Sequence, residues 1–189
     1  MREVGRHILD RTRSGDLEAL RILLESLQCP IYQTVHRMVG RRFAADVEDI
    51  TQEILIKILH SLGRFDPDRG VKFSTWIFTF VKNHCFDVLK KRRLETIPLE
   101  SHDPHQAVLS LPEVENPAAT VENEELVRHI EAAVASLPPE QRLAFVLRQY
   151  EGLAYDQIAA VLGCSQGTVK SRIHRAKDAL RHRLTRYVG

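Results

Sequence analysis

Between Ser165 and Arg175 the chain gathers residues of the types that can contact a nucleic-acid duplex, or simply solvate an exposed helix: Gly167, Thr168, Lys170, Ser171, Arg172, His174 and Arg175. They alternate with Val169 and Ile173, and the apolar series continues to Ala176 and Leu180 at steps of four, three and four. At 100° per residue that spacing puts the apolar positions on one helix face. The opposite face carries Ser171, His174 and Arg175, flanked by Thr168 and Lys170. Outward Arg and Lys side chains near a helix start match the guanine acceptors of a major groove. Ser165 suits the N-cap, and Thr168 with the nearby amides suits a phosphate oxygen. Just upstream, Tyr155 to Leu162 predicts a short helix with Ile158, Ala159 and Leu162 inward, followed by a tight turn at Gly163-Cys164. That is a helix-turn-helix. Its first helix follows Ala154 rather than a Ser or Thr, forgoing roughly 0.5–2 kcal/mol of capping.

A second constellation lies in the other half. Val47, Ile50, Ile54, Ile58 and Leu62 form the buried stripe of a helix, leaving Asp49, Gln52, Glu53, Ile56 and His60 outward. An isoleucine among acidic and amide groups suits a docking face, apolar contact supplying energy and carboxylates orientation. A lone exposed isoleucine also occurs on surfaces with no partner, so this face alone leaves both readings open. Downstream, Lys72-Phe-Ser-Thr-Trp-Ile-Phe-Thr-Phe-Val-Lys-Asn83 interleaves rings with cations, and Lys90-Lys91-Arg92-Arg93 follows. Rings stack on unpaired bases while cations track phosphates. Phe73 and Trp76 fit a helical core better; Phe80 fits either role.

The elements that must hold these groups are helical throughout, with no alternation typical of strands. A first helix spans Asp16 to about Val39, carrying Leu17, Leu20, Leu23, Leu24, Leu27 and Ile31, with Pro30 a kink or break. The docking helix runs from Val47 to Leu62 and stops at Gly63 as a C′ glycine. Phe65 to Gly70 is a loop, Ser74 caps a third helix ending near Lys82, and a fourth reaches Arg93. Residues 94–120 hold Pro98, Pro104, Pro112 and Pro117 and no basic residue, which predicts a flexible linker. Helical pattern resumes at Val121, and Pro138-Pro139 opens a further helix. The expected architecture is all-α: a helical bundle over 1–93, the linker, and a helix-turn-helix domain over 121–189.

Charge follows the same division. Residues 1–93 hold 17 Lys and Arg against 12 Asp and Glu; 94–125 hold none against 8; 126–189 hold 10 against 5. Two basic lobes flank an acidic strip, which points to polyanion partners. In the free chain that strip could lie across either lobe and suppress DNA binding, an effect that deleting residues 96–118 would remove. No run of about 18 apolar residues predicts a membrane insertion, and Met1 to Arg6 leads into no secretory h-region. Cys29, Cys85 and Cys164 form no C-x-x-C pair. No metal or cofactor is expected, and the chain is expected to be cytoplasmic.

The run Asp46-Val-Glu-Asp-Ile-Thr-Gln-Glu53, then Lys72-Phe-Ser-Thr-Trp76, then Gly167-Thr-Val-Lys-Ser-Arg-Ile-His-Arg-Ala176 resembles the extracytoplasmic-function class of bacterial sigma factors. The likeness spans nearly the whole chain, as region 2, a linker where region 3 is missing, and region 4. It implies promoter-specific transcription initiation with core RNA polymerase and no catalysis by the chain itself. Asp49, Gln52, Glu53, Leu55, Ile56 and Leu59 fall where such factors grip the beta-prime clamp helices, with the beta flap a further contact. Phe80, Lys82, Lys90, Arg92 and Arg93 fall on the −10 side. Asn83, His84, Cys85 and Phe86 fall in a loop that forms a pocket for a flipped −10 base. Lys170, His174 and Arg175 take major-groove positions at the −35 element. Ser165, Gly167, Thr168 and Arg172 lie near phosphates, with Ser171 on the same face. The linker matches a segment threading toward the RNA exit. The class is usually held inactive by an anti-sigma protein. One departure stands out: housekeeping factors place a tryptophan pair where this chain has Thr79 and Phe80, so weak melting and a narrow promoter range are expected.

Rival readings fit less. A receiver-linked regulator needs strand-helix alternation in front of the helix pair. A serine recombinase needs a nucleophile among arginines, a setting that Ser14 and Ser61 lack. A metal sensor would have only His102 and His105 closely spaced.

Overall fold

The computed structural model describes residues 4–95 and 120–185, apart from the side chains of residues 42, 92–95 and 120–124. Every regular element among them is helical. The linker expected over 94–120 lies outside the described residues except at its first two positions and its last.

The first lobe is built from α1 (Arg6–Arg13), α2 (Leu17–Val39), α3 (Val47–Ser61) and α4 (Phe73–Glu95). Asp16 caps α2, its carboxylate accepting from the Glu18 and Ala19 amides at 3.0 and 3.1 Å. Of the kink or break expected at Pro30, the break does not occur: α2 runs on through it. Leu27, Ile31, Thr34 and Val35 around it are fully buried. Their packing outweighs a lost backbone bond worth about 3 kcal/mol. Leu17, expected on the buried stripe, is 78% exposed, because it opens the helix beyond the reach of the core. Helix α1, which periodicity did not reveal, is held by buried Ile8 and Leu9.

Two further boundaries differ from the sequence reading. Gly63 does not end α3 with a left-handed residue; the chain tightens into a 3₁₀ turn over Leu62–Arg64. Leu62 is buried, and the Arg13 guanidinium donates to the Leu62 carbonyl at 3.2 Å and to that of Phe65, drawing this corner inward. The expected third and fourth helices are one, α4. No glycine or proline interrupts Phe73–Glu95, so nothing in the chain stops the hydrogen-bond ladder.

The second lobe contains α5 (Thr120–Ala135), α6 (Pro139–Gln149), α7 (Tyr155–Leu162) and α8 (Gln166–Leu184). Pro138 takes the N-cap of α6 and Pro139 its first turn. The lobes pack together, with α7 on α4 and with α5 and α6 on α2. One apolar cluster runs from Leu23, Ile54 and Phe78 into Leu143, Ile158 and Ile173. Arg142 of α6 is a buried polar element of this seam. Its guanidinium donates to the Met38 carbonyl at the end of α2, to the Ala135 carbonyl that ends α5, and to the Leu137 carbonyl in the turn beyond it. Carbonyls in a last helical turn lack intrahelical donors, and a cation there also meets the negative helix ends. Thr34 donates to Glu151 at 3.2 Å across the same seam. At Gly40 (φ 74°) the lobes come so close that a Cβ would sit 3.0 Å from that of Ala135.

Candidate nucleic-acid and docking interfaces

In α8 the apolar face is as spaced: Val169, Ile173, Ala176 and Leu180 are all buried. The Ser165 hydroxyl accepts from the Thr168 amide at 3.1 Å, fixing the start of the helix. That bond, with a further 2.9 Å contact between the two hydroxyls, occupies Thr168 internally. The first-turn amides of Gln166 and Gly167 have no intrahelical acceptor, the arrangement that suits an anion at a helix start. Gly163 adopts the left-handed conformation (φ 66°) that turns α7 into α8. Ala154 offers no cap to α7, yet its amide donates to Gln157 Oε1 at 2.9 Å, so one orphan donor is met. Within α7, Val161 is fully buried, whereas Leu162, expected inward, is only half-buried.

Outward on α8 stand Lys170, Ser171, His174 and Arg175, all exposed. His174 lies 3.3 Å from Asp178. Arg172 is different: only 20% exposed, it pairs with Glu140 of α6 and reaches Cys164 Sγ at 3.3 Å. It braces the helix pair rather than facing outward.

On α3 the structure brings Asp49, Gln52, Glu53 and Ile56 to the surface, Ile56 with 53% exposure, and half-buries Leu55 and Leu59 beside them. Val47, Ile50, Ile54 and Ile58 occupy the core. Lys57, outside the expected set, also lies on the exposed side; its spacing of four from Glu53 was the available signal.

Helix α4 departs most from expectation. Asn83, His84, Cys85 and Phe86 lie inside a helix, not in a loop. Asn83, Lys90 and Lys91 are exposed, Lys82 and Phe86 half-buried, and His84 and Cys85 buried. Neither of the last two presents a surface to a base. Burial pushes the Cys85 thiol up to about 12. The side chains of Arg92 and Arg93 lie outside the described residues. Four rings form a ladder up to the surface: Phe65 to Phe73 at 5.0 Å, Phe73 to Trp76 at 5.7 Å, and Trp76 edge-to-face with Phe80 at 4.8 Å. Phe73 is core, as expected; Trp76 and Phe80 are half-buried. No described helix is long and apolar enough to cross a membrane.

A helix-turn-helix with a basic outer face, joined to a bundle with an acidic, isoleucine-bearing face, defines a DNA-binding protein with a protein-docking lobe. Known proteins give the class a family. Family models described as Sigma-70 region 2 and Sigma-70, region 4 match residues 23–95 and 128–180. The ECF RNA polymerase sigma factor SigE of Mycolicibacterium smegmatis is 36% identical over 160 residues, covering 83% of this chain and 58% of that protein. The ECF RNA polymerase sigma-E factor of Escherichia coli K12 is 33% identical over 180 residues, 92% of this chain and 90% of that one. The chain belongs to the ECF sigma factors. Two solved structures share its fold. One is CnrH in complex with the cytosolic domain of CnrY, with TM-score 0.69 and 24% identity, covering 96% of this chain and 97% of that chain. The other is the sigma factor RpoE in complex with the anti-sigma factor NepR from Bartonella quintana, with TM-score 0.66 and 23% identity, covering 88% of this chain and 96% of that chain.

Proposed function

We propose that this chain binds core RNA polymerase and directs it to a narrow set of promoters, acting in the cytoplasm and leaving all catalysis to the polymerase. The observation that carries the reading is a pair of outward helix faces of different chemistry on separate lobes. On α3, Asp49, Gln52, Glu53 and Ile56 form a face fit for a basic, apolar groove on a protein. On α8, Lys170, His174 and Arg175 suit a DNA major groove. Residues 1–93 are the polymerase and −10 domain and 121–189 the −35 domain, with 94–120 the linker. On the −10 side the contacts come from Lys82, Asn83, Phe86 and Lys90, with Phe80 as wedge.

The packed lobes are the silent state. The positions in the names of the −35 and −10 elements set them about 25 base pairs apart, roughly 85 Å at 3.4 Å per pair. Helix α7 rests directly on α4, so the two DNA-facing lobes must part to span that length. An anti-sigma protein would hold them closed, as the one bound to RpoE gives precedent for a partner on this fold.

Transcription in vitro with purified core polymerase across a random promoter library tests the proposal. The expected result is initiation confined to related −35 and −10 sequences, abolished by Glu53→Lys. Failure of the chain to associate with core polymerase, or indifference to that charge reversal, overturns it.

A further inference from the structure

His84 has no place in a base pocket, yet the structure gives it two defined partners on the neighbouring helix. Its Nδ1 lies 2.7 Å from Lys57 Nζ, and its Nε2 lies 3.2 Å from Glu53 Oε2. An ammonium donates and cannot accept, so Nδ1 supplies its lone pair to Lys57 and Nε2 carries the proton that it donates to Glu53. The ring is neutral in this arrangement, with a cation on one side and a carboxylate on the other. Its side chain is only 10% exposed while that of Glu53 is 61% exposed. A buried, rigid donor thus holds one oxygen of a solvent-facing carboxylate. A free glutamate would lose several rotamers on docking; one already tethered loses fewer, and prior ordering raises affinity.

We infer that His84 is a positioning residue for polymerase docking: fixed on α4 by burial and polarised by Lys57, it holds Glu53 in its docking orientation on α3. The inference rests on the proposed role of the α3 face, and assigns His84 to polymerase binding rather than to −10 recognition. The charged groups that face the ring are Glu53 and Lys57 of α3 and Asp87 of its own helix. Burial, and then Lys57, hold its pKa below the usual imidazole value, against the opposite pull of Glu53 and Asp87. The bridge is therefore intact at neutral pH. As pH falls through the lowered value, Nδ1 gains a proton that faces the Lys57 ammonium. The Lys57 half of the bridge is then lost, and the repulsion displaces the ring that held Glu53 in place, although Nε2 remains a donor.

The test is a double-mutant cycle on the full-length chain binding purified core polymerase, with His84→Ala, Glu53→Gln, both together, and His84→Gln. His84→Ala should weaken association about five- to tenfold, the size expected of one partly screened charge-assisted bond. In the Glu53→Gln background the same change should have little further effect. His84→Gln, which can accept from Lys57 and donate to Glu53, should restore most of the affinity. Equal losses from His84→Ala in both backgrounds overturn the inference, since a merely structural histidine would act independently of Glu53. Should His84→Ala fail to fold, a titration of the wild-type chain from neutral pH downward, carried as far below the ordinary histidine range as the complex stays folded, decides. A fall in association that His84→Gln lacks supports the bridge, and parallel curves refute it. If the wild-type chain does not bind polymerase at all, it is the proposed function that has failed. Wild-type binding without coupling removes only the role of His84.

Discussion

The two lobes place their functional side chains by different means. In the second lobe local rules suffice. A left-handed Gly163, a Ser165 cap and a stripe of Val169, Ile173, Ala176 and Leu180 set α8's direction, and the exposed residues follow from its period. In the first lobe α4 buries more than one stripe, with Ser74, Thr75, Phe78, His84 and Cys85 covered as well as Phe73, Ile77 and Val81, between α2, α3 and α7. Its outward positions are whatever those neighbours leave uncovered. Asn83 and Lys90 emerge while His84 and Cys85, one or two positions away from Asn83, are buried. A recognition surface on a one-sided helix is a property of that helix; one on an enclosed helix is a property of the assembly.

The largest test of this contrast is the seam itself. Arg142→Met keeps volume and apolar packing but leaves the Met38, Ala135 and Leu137 carbonyls without their donor. A lost bond to a charged group, with buried acceptors left unmet, amounts to about 3 kcal/mol. The free chain should expand in small-angle scattering, and the two lobes should melt in separate transitions where those of the wild-type chain melt together. Unchanged size and one transition would mean that the lobes do not depend on this residue. The same variant should bind −35 duplex more readily in the absence of polymerase.

Next in size is a comparison within α8. Arg175→Ala should cost about 1–3 kcal/mol at the preferred −35 sequence and relax selectivity at one position, measured by binding to a set of single-base variants. Arg172→Ala should instead lower the melting temperature with little change in base preference, because that guanidinium is paired with Glu140. If Arg172 controls base choice and Arg175 does not, the assignment of faces on α8 is reversed. Smaller again is Ser165→Ala, which removes the acceptor for the Thr168 amide. About 1 kcal/mol of stability should go with it, read by denaturant midpoint at constant slope.

What was legible in the sequence follows the same line. The core stripe of α3, with Ile54 and Ile58 fully buried, and that of α8 were both visible as spacing, since each helix has one wet side. The proline-opened α6 was visible because Pro138 and Pro139 have restricted backbones. The continuity of α2 through Pro30 and the union of two expected helices into α4 were not visible. Local propensity marks a break at Pro30, and tertiary packing around Ile31 and Thr34 overrules it. Nor did spacing show that Arg172 turns toward Glu140, or that His84 turns toward Lys57 and Glu53. Those partners lie 32, 27 and 31 positions away and are joined only by folding.

Cys85 gives the smallest effect, and the null result is informative. It follows Asn83 by two positions in a segment that the family resemblance placed at a base pocket, where a thiol would be open to oxidants. The structure buries it completely, and desolvation disfavours the thiolate, raising its pKa to about 12. Since the thiolate is the reactive form, far less of it is present at neutral pH than for an ordinary thiol. Cys29 is exposed and Cys164 half-buried. Alkylation of the native chain followed by peptide mapping should therefore modify Cys29 first, Cys164 more slowly, and Cys85 only after denaturant. Prior peroxide treatment should leave Cys85 unmodified and promoter selection unchanged. Rapid labelling of Cys85 in the folded chain would show that α4 opens on that side. It would also return residues 83–86 to the pocket loop that the family resemblance implied.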